Sequence, residues 1–309
     1  MEPLTSILVD VDATAPAQPA LERAVRLALN VGAKLTIADV MTGPAGTRDQ
    51  LPPAIEEVVT AARRSQLERL AMGVRGVATE SRLLTGRPAT ALIQEVLRSH
   101  HDLLMRSHAR DLTAPGPSSF GAVDMELLRK CPCPVLLVRH GSPAPQPRIV
   151  AAIDISSEDS EVHALNRKLV EAMLKLSSSL GARSAGLLHV WAPFAERTVR
   201  GYVSDDQFGD YAERARQRAA TDITRFVQSF DGRLDDSPVT LLRGAPEDVI
   251  PGFVVSDGVD IVVMGTVARG GLAGMLMGNT AERILRKLPC SVLTIKPDGF
   301  VSPVRLDPS

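Results

Sequence analysis

LLRKCPCPVLLVR occupies residues 127–139, and ILRKLPCSVLTIK occupies residues 284–296. The two share the frame L-R-K-x-P-C-x-V-L, with Pro132 matching Pro289 and Cys133 matching Cys290. Upstream, LLTGRP at 83–88 parallels LLRGAP at 241–246, and HDLLMRSHAR at 101–110 parallels VDIVVMGTVAR at 259–269 with one residue gained. At the front, ILVDVD at 7–12 parallels VAAIDIS at 150–156, which sets Asp12 opposite Asp154. Matches in the same order along both halves identify an internal duplication, and every later assignment depends on it. HGSPAPQPR, residues 140–148, holds three prolines among small polar residues and reads as an extended connector. The expected domains are therefore 1–145 and 146–309.

Each half alternates strands with helices. In the second half, short apolar runs at 149–154, 185–191, 239–242, 261–264 and 292–295 have the length and composition of strands buried on both faces. Between them, Leu165, Leu169, Met173, Leu176 and Leu180 form one helical stripe, and Gly181 is its expected stop. Residues 206–230 form a second helix with Phe208, Tyr211, Ile223, Phe226 and Phe230 inward, followed by helices at 245–256 and 279–288. The first half repeats the order, with strands near 7–11, 35–40, 80–84, 102–105 and 135–138. Such alternation predicts an α/β fold: two tandem doubly wound open parallel five-stranded sheets with right-handed crossovers.

Open sheets of this kind bind ligands beyond the carboxyl ends of their strands. The informative segment is MGTVARGGLAGMLMGNTAERILRKLPCSVLTIK, residues 264–296. A strand ends at Gly265, a glycine-rich loop follows, and a helix begins at Gly278-Asn279-Thr280. Glycines let backbone approach a phosphate closely, and a helix N-terminus offers unpaired N–H groups to an anion. Asn279 or Thr280 is the expected cap, with Glu282 suited to the first turn. Spacing alone fits an ordinary capped loop equally well.

The same segment resembles the universal stress proteins, whose nucleotide-binding members carry G-x2-G-x9-G-[S/T] after strand four and P-C-P-V-L at strand five. Here the pattern reads Gly265-x2-Ala268-x9-Gly278-Asn279-Thr280. The spacing is kept, Ala268 replaces the second glycine, and Asn279 replaces the hydroxyl residue with Thr280 next to it. Arg269, Gly270 and Gly271 match the usual R-G-G stretch. Each half looks like one such domain, and GNTAE with the trailing KPDGFVSPVRL is similar to tandem-domain members. The resemblance implies ATP (or ADP or AMP) in the C-terminal half. Asp154 would lie near the adenosine and Val190 would line the base pocket. Gly265, Ala268, Arg269, Gly278, Asn279 and Thr280 would surround the phosphates. No metal is assigned, with Mg accompanying ATP as an alternative. Pairing through strand five, usual in the family, would make the two halves an intramolecular pseudo-dimer, open to further homodimerisation. The implied role is a sensor or adaptor in the stress response, with a slow ATPase and a nucleotide-independent scaffold as alternatives.

The first half departs from the pattern. Arg106 or Ser107 stands where Gly265 does, APGPSSFGAVD at 114–124 replaces the glycine loop, and Ala122 and Val123 replace Asn279 and Thr280. Pro115 and Pro117 cannot donate to a phosphate. This half is expected to be a structural partner or to hold another ligand.

Composition narrows the rest. The 309 residues carry 35 basic and 36 acidic side chains and 3% aromatics, which argues against nucleic acid as a partner. Three cysteines fit a reducing compartment, and no signal or membrane-spanning run is evident, so a cytoplasmic location with no membrane partner is expected. His100, His101 and His108 with Cys131 and Cys133 raise a metal site, but C-x-C is not a usual zinc spacing. His189 and Trp191 read as packing residues. Asp10 with Asp12, and Asp154 with Glu158 and Asp159, read as solvated loop and helix-start carboxylates, Asp154 excepted. No Walker loop, dinucleotide fingerprint or hydrolase elbow occurs, and no positioned nucleophile is evident.

Overall fold

The computed structural model describes residues 4–42, 52–108, 120–139, 144–157, 159–266 and 277–306. In the N-terminal half β1 (Ser6–Asp10), β2 (Lys34–Met41), β3 (Thr79–Thr85), β4 (Leu103–His108) and β5 (Val135–Arg139) alternate with α1 (Pro19–Val31), α2 (Pro53–Gly73), α3 (Pro88–Ser99) and α4 (Ala122–Lys130). The C-terminal half repeats the order with β6 (Arg148–Ile153), β7 (Ser184–Trp191), β8 (Val239–Arg243), β9 (Ile261–Gly265) and β10 (Ser291–Ile295). Its helices are α5 (Ser160–Leu180), α6 (Glu196–Arg200), α7 (Asp205–Gln228), α8 (Pro246–Ser256) and α9 (Asn279–Lys287). The short α6 has no counterpart in the sequence reading.

Local signals explain the boundaries. Asp159 caps α5 by accepting from the Glu161 amide at 2.8 Å. The helix ends at Gly181, whose φ of +58° lets its N–H turn back to the Ser177 and Ser178 carbonyls. Ser204 and Gln207 cap α7 reciprocally at 3.3 and 3.0 Å. That helix stops at Gln228, so Phe230 packs from the turn beyond it, edge-on to Phe226.

Within each half all strands are parallel. They lie in the order β3-β2-β1-β4-β5 in the first half and β8-β7-β6-β9-β10 in the second. β5 and β10 pair antiparallel, Leu137 opposite Val292 and Leu136 opposite Leu293, so the two blocks join into one ten-stranded sheet. The apolar side chains of these two seam strands are buried, which explains why they read as continuous apolar runs. One core on each face crosses the seam. Ile7, Met105, Ile149 and Val263 share one face, and Leu8, Leu128, Val262 and Leu285 share the other. α1 and α5 lie side by side on the first face, where Asn30 donates to the Ser179 carbonyl at 2.5 Å. Among the described residues no helix is long and apolar enough to cross a membrane.

Candidate functional site

The strand order reverses between β6 and β9, and a cavity of about 820 Å³ opens beyond their carboxyl ends. That is the position and size class of a small-molecule site. Ile153, Leu188, Val190, Ile250, Met264 and Ile284 give it an apolar interior. Asp154 stands at the end of β6, its main chain clamped by Asn166. The Asp154 amide donates to Asn166 Oδ1 at 3.1 Å, and Asn166 Nδ2 donates to the Asp154 carbonyl at 2.7 Å. The Asp154 carboxylate accepts from the Ser156 hydroxyl at 2.7 Å. Asp159, Glu161 and Asp298 also line the cavity, so its described rim is acidic and suits hydroxyl donors or a cation carried with a ligand.

The opposite wall is the start of α9. The N-cap position falls on Gly278 rather than on Asn279 or Thr280, because Gly278 has the extended backbone (φ −63°, ψ 138°) and the helix begins one residue later. Among the described residues no side chain caps this helix, so its first amides face the cavity without a built-in acceptor. The Gly278 amide itself donates to the Thr266 carbonyl at 2.9 Å, closing the base of the loop. A Cβ at Gly265 would come within 2.8 Å of Leu165 Cδ2 on α5, so a larger residue there would require that side chain to move.

Strand register shows what the first half has instead. Arg106 pairs with Leu137 and Met264 with Thr294, equivalent positions in the repeat, so Arg106 corresponds to Met264 and Ser107 to Gly265. Asp10 lies beside Arg106 as Ala152 lies beside Met264. Asp124, four residues before Leu128, matches Ala281, four before Leu285. Three cavity-lining residues of the second half are thus replaced by Asp10, Arg106 and Asp124. Arg106 forms ion pairs with Asp10 and, at 3.0 Å, with Asp124. Asp124 also accepts from the Gly121 amide at 3.0 Å and contacts His108 Nδ1 at 3.1 Å. The N-terminus of α4 therefore holds a capping carboxylate of its own, and that of α9 has no counterpart to it among the described residues. Asp10 is only 4% exposed, so it is not the solvated loop carboxylate expected; the Arg106 guanidinium compensates its burial. Asp12 lies further out, its carboxyl held down chiefly by the Thr14 hydroxyl, with Arg63 bridging it to Asp39. Burial pushes the Asp39 carboxyl up despite that arginine.

Comparisons with known proteins identify the family. The model of the universal stress protein family matches residues 4–139 and again 147–296. The chain belongs to the universal stress protein family. It is 32% identical over 311 residues to universal stress protein E of Photorhabdus laumondii, covering 97% of each chain. It is 31% identical over 314 residues to universal stress protein E of Escherichia coli K12, covering 98% of this chain and 97% of that one. Among solved structures, a universal stress protein of Pseudomonas aeruginosa aligns with a TM-score of 0.67 at 22% identity, over 96% of this chain and 94% of that one, a likeness of fold.

Of the residues that the universal stress protein pattern points to, Asp154, Val190, Gly265, Gly278, Asn279 and Thr280 all line the one cavity. Ala268 and Arg269 lie outside the described residues, as do Glu158, Pro115 and Pro117. The histidines do not converge. His101 precedes β4 and contacts Ser6 Oγ at 2.7 Å, whereas His108 ends that strand. Among the described residues no three His, Cys, Asp or Glu side chains are grouped to hold a metal. His189 is buried, which pushes its imidazole pKa down, and its Nδ1–H donates to the Ile153 carbonyl at 3.1 Å.

Sequence reasoning missed Asn166 and the segment after β10. Pro297, Asp298, Gly299 and Phe300 form part of the cavity wall, with Asp298 ion-paired to Lys168. The chain then crosses to the first half, where Ser302 donates to the Lys130 carbonyl at 2.8 Å and Gln94 donates to the Arg305 carbonyl at 3.0 Å. At the root of this segment Lys296 is buried, which pushes its pKa down to about 8. Between that value and the ordinary value of 10.5 the unfolded chain binds more protons than the folded one, so this group makes stability rise with pH through the window. Denaturant unfolding at pH 7.5, 9 and 10.5 is expected to show that rise, on the order of a few kcal/mol, and K296M is expected to lack it. Parallel curves for both proteins would contradict the assignment.

Proposed function

We propose that the C-terminal half binds an adenine nucleotide, with ATP as the expected ligand, and that the chain acts in the stress response as a nucleotide-dependent sensor or adaptor. One observation carries the reading: among the described residues no side chain caps α9, whose start lines a cavity of about 820 Å³ at the point where the strand order reverses. Phosphates placed at Gly278, Asn279 and Thr280 leave the apolar interior around Val190 and Ile250 for the base. Asp154, fixed by Asn166, is then the acceptor for ribose hydroxyls. The first half, with Asp124 already at its helix N-terminus, is a structural partner.

Titration of the full chain with ATP tests this. Binding is expected for the wild type, and D154A is expected to weaken it about tenfold or more, the worth of a hydrogen bond to a charged group being about 1.5–3 kcal/mol. A wild-type chain that binds neither ATP, ADP nor AMP would overturn the proposal.

A further inference from the structure

Lys296 is 7% exposed and has no carboxylate against it among the described residues. From α4 it meets the Leu128 carbonyl, to which its ammonium donates, and the Cys131 thiol lies nearby. From the end of β9 it meets Thr266 Oγ1, to which it donates at 2.5 Å. From the segment after β10 it meets the Phe300 ring, whose centroid is 5.0 Å away. Cys131 is the only titratable group facing it among the described residues. An ammonium taken out of water without a counter-charge is strongly disfavoured, and strongly perturbed groups of this kind cluster at functional sites.

Its location says which charge is missing. The residue that accepts from the ammonium, Thr266, also accepts the Gly278 amide through its carbonyl at 2.9 Å. The buried cation is therefore two links from the uncapped start of α9 and next in sequence to Pro297 in the cavity wall. Its counterpart in the repeat, Arg139, is exposed and donates instead to the Pro289 carbonyl. In that half Asp124 already occupies the equivalent helix start.

We infer that Lys296, which lies behind the residues that line the cavity, is a positioning residue for a phosphate subsite, its charge acting through Thr266 on the start of α9 and drawing the anionic end of the nucleotide. The inference rests on the nucleotide reading above and adds a residue from the seam, tied to the N-terminal half through Leu128. A phosphate near Lys296 favours its protonated form, so the bound complex holds the proton to higher pH than the free protein does. Binding then takes up protons above about pH 8, and affinity falls as pH rises beyond that value.

Calorimetric titration of the full chain with ATP and with adenosine, at pH 7.5 and 9.5 in two buffers of different ionisation enthalpy, tests this. Wild-type affinity for ATP is expected to fall about tenfold across that range with proton uptake, as for a one-unit rise in the lysine pKa on binding. K296M and K296Q, the second keeping a neutral donor, are expected to bind ATP about tenfold more weakly at pH 7.5. Neither should show the pH step, and adenosine should bind all three proteins alike. Three results would overturn the inference while ATP still binds: no pH step in the wild type, the same step in both variants, or adenosine weakened as much as ATP. A wild type that binds no nucleotide at either pH overturns the nucleotide reading itself, and this inference with it.

Discussion

R106A is expected to lose about 3–5 kcal/mol of folding stability, the usual consequence of removing one partner from a buried ion pair. Asp10 and Asp124 would be left facing each other at 4% and 6% exposure with no guanidinium between them. For a chain of this size that corresponds to a fall in Tm of about 10 °C. Combining R106M with D10A and D124A, the identities found in the second half, should recover most of the stability, since apolar replacement of a whole buried ionic group is often neutral. Thermal melts of the single and triple variants check this. A single variant within about 1 kcal/mol of wild type would mean that Arg106 is not what holds these carboxylates in place.

The converse exchange is expected to abolish nucleotide binding. A152D, M264R and A281D together put the ion-paired trio of the first half into the cavity of the second. The carboxylate introduced at position 281 would occupy the start of α9 as Asp124 occupies that of α4. The guanidinium introduced at position 264 would fill apolar space that Met264 now bounds. Because the three charges travel as a set, the fold should survive, which far-UV circular dichroism and a melt would report. ATP binding within severalfold of the wild type would show that these positions do not decide which half carries a ligand.

The legible part of the molecule was the part written in local periodicity. The frame around Pro132 and Pro289 located both seam strands, and the apolar stripe from Leu165 to Leu180 with Gly181 marked α5 to its last turn. The family resemblance of the segment from Gly265 to Thr280 pointed to residues of which Gly265, Gly278, Asn279 and Thr280 line one cavity. What stayed hidden was pairing across distance. Asp10, Arg106 and Asp124 are separated by 96 and 18 residues, and no short window shows that they meet. Asp10 at a strand end looked like an ordinary loop carboxylate until the register placed Arg106 beside it. Lys296 was hidden for the opposite reason, a single basic residue at the end of an apolar strand, where an exposed ammonium is the common outcome. Its alignment with Arg139 was visible, but only the Leu128 and Thr266 contacts show that the two cations ended in different surroundings.

The two halves thus share one strand order and differ at a helix start: that of α4 holds its own carboxylate, and that of α9 has none among the described residues. Native mass spectrometry of the full chain with excess ATP tests the consequence of this difference directly. One nucleotide per chain is the predicted result; none, or two, would contradict it.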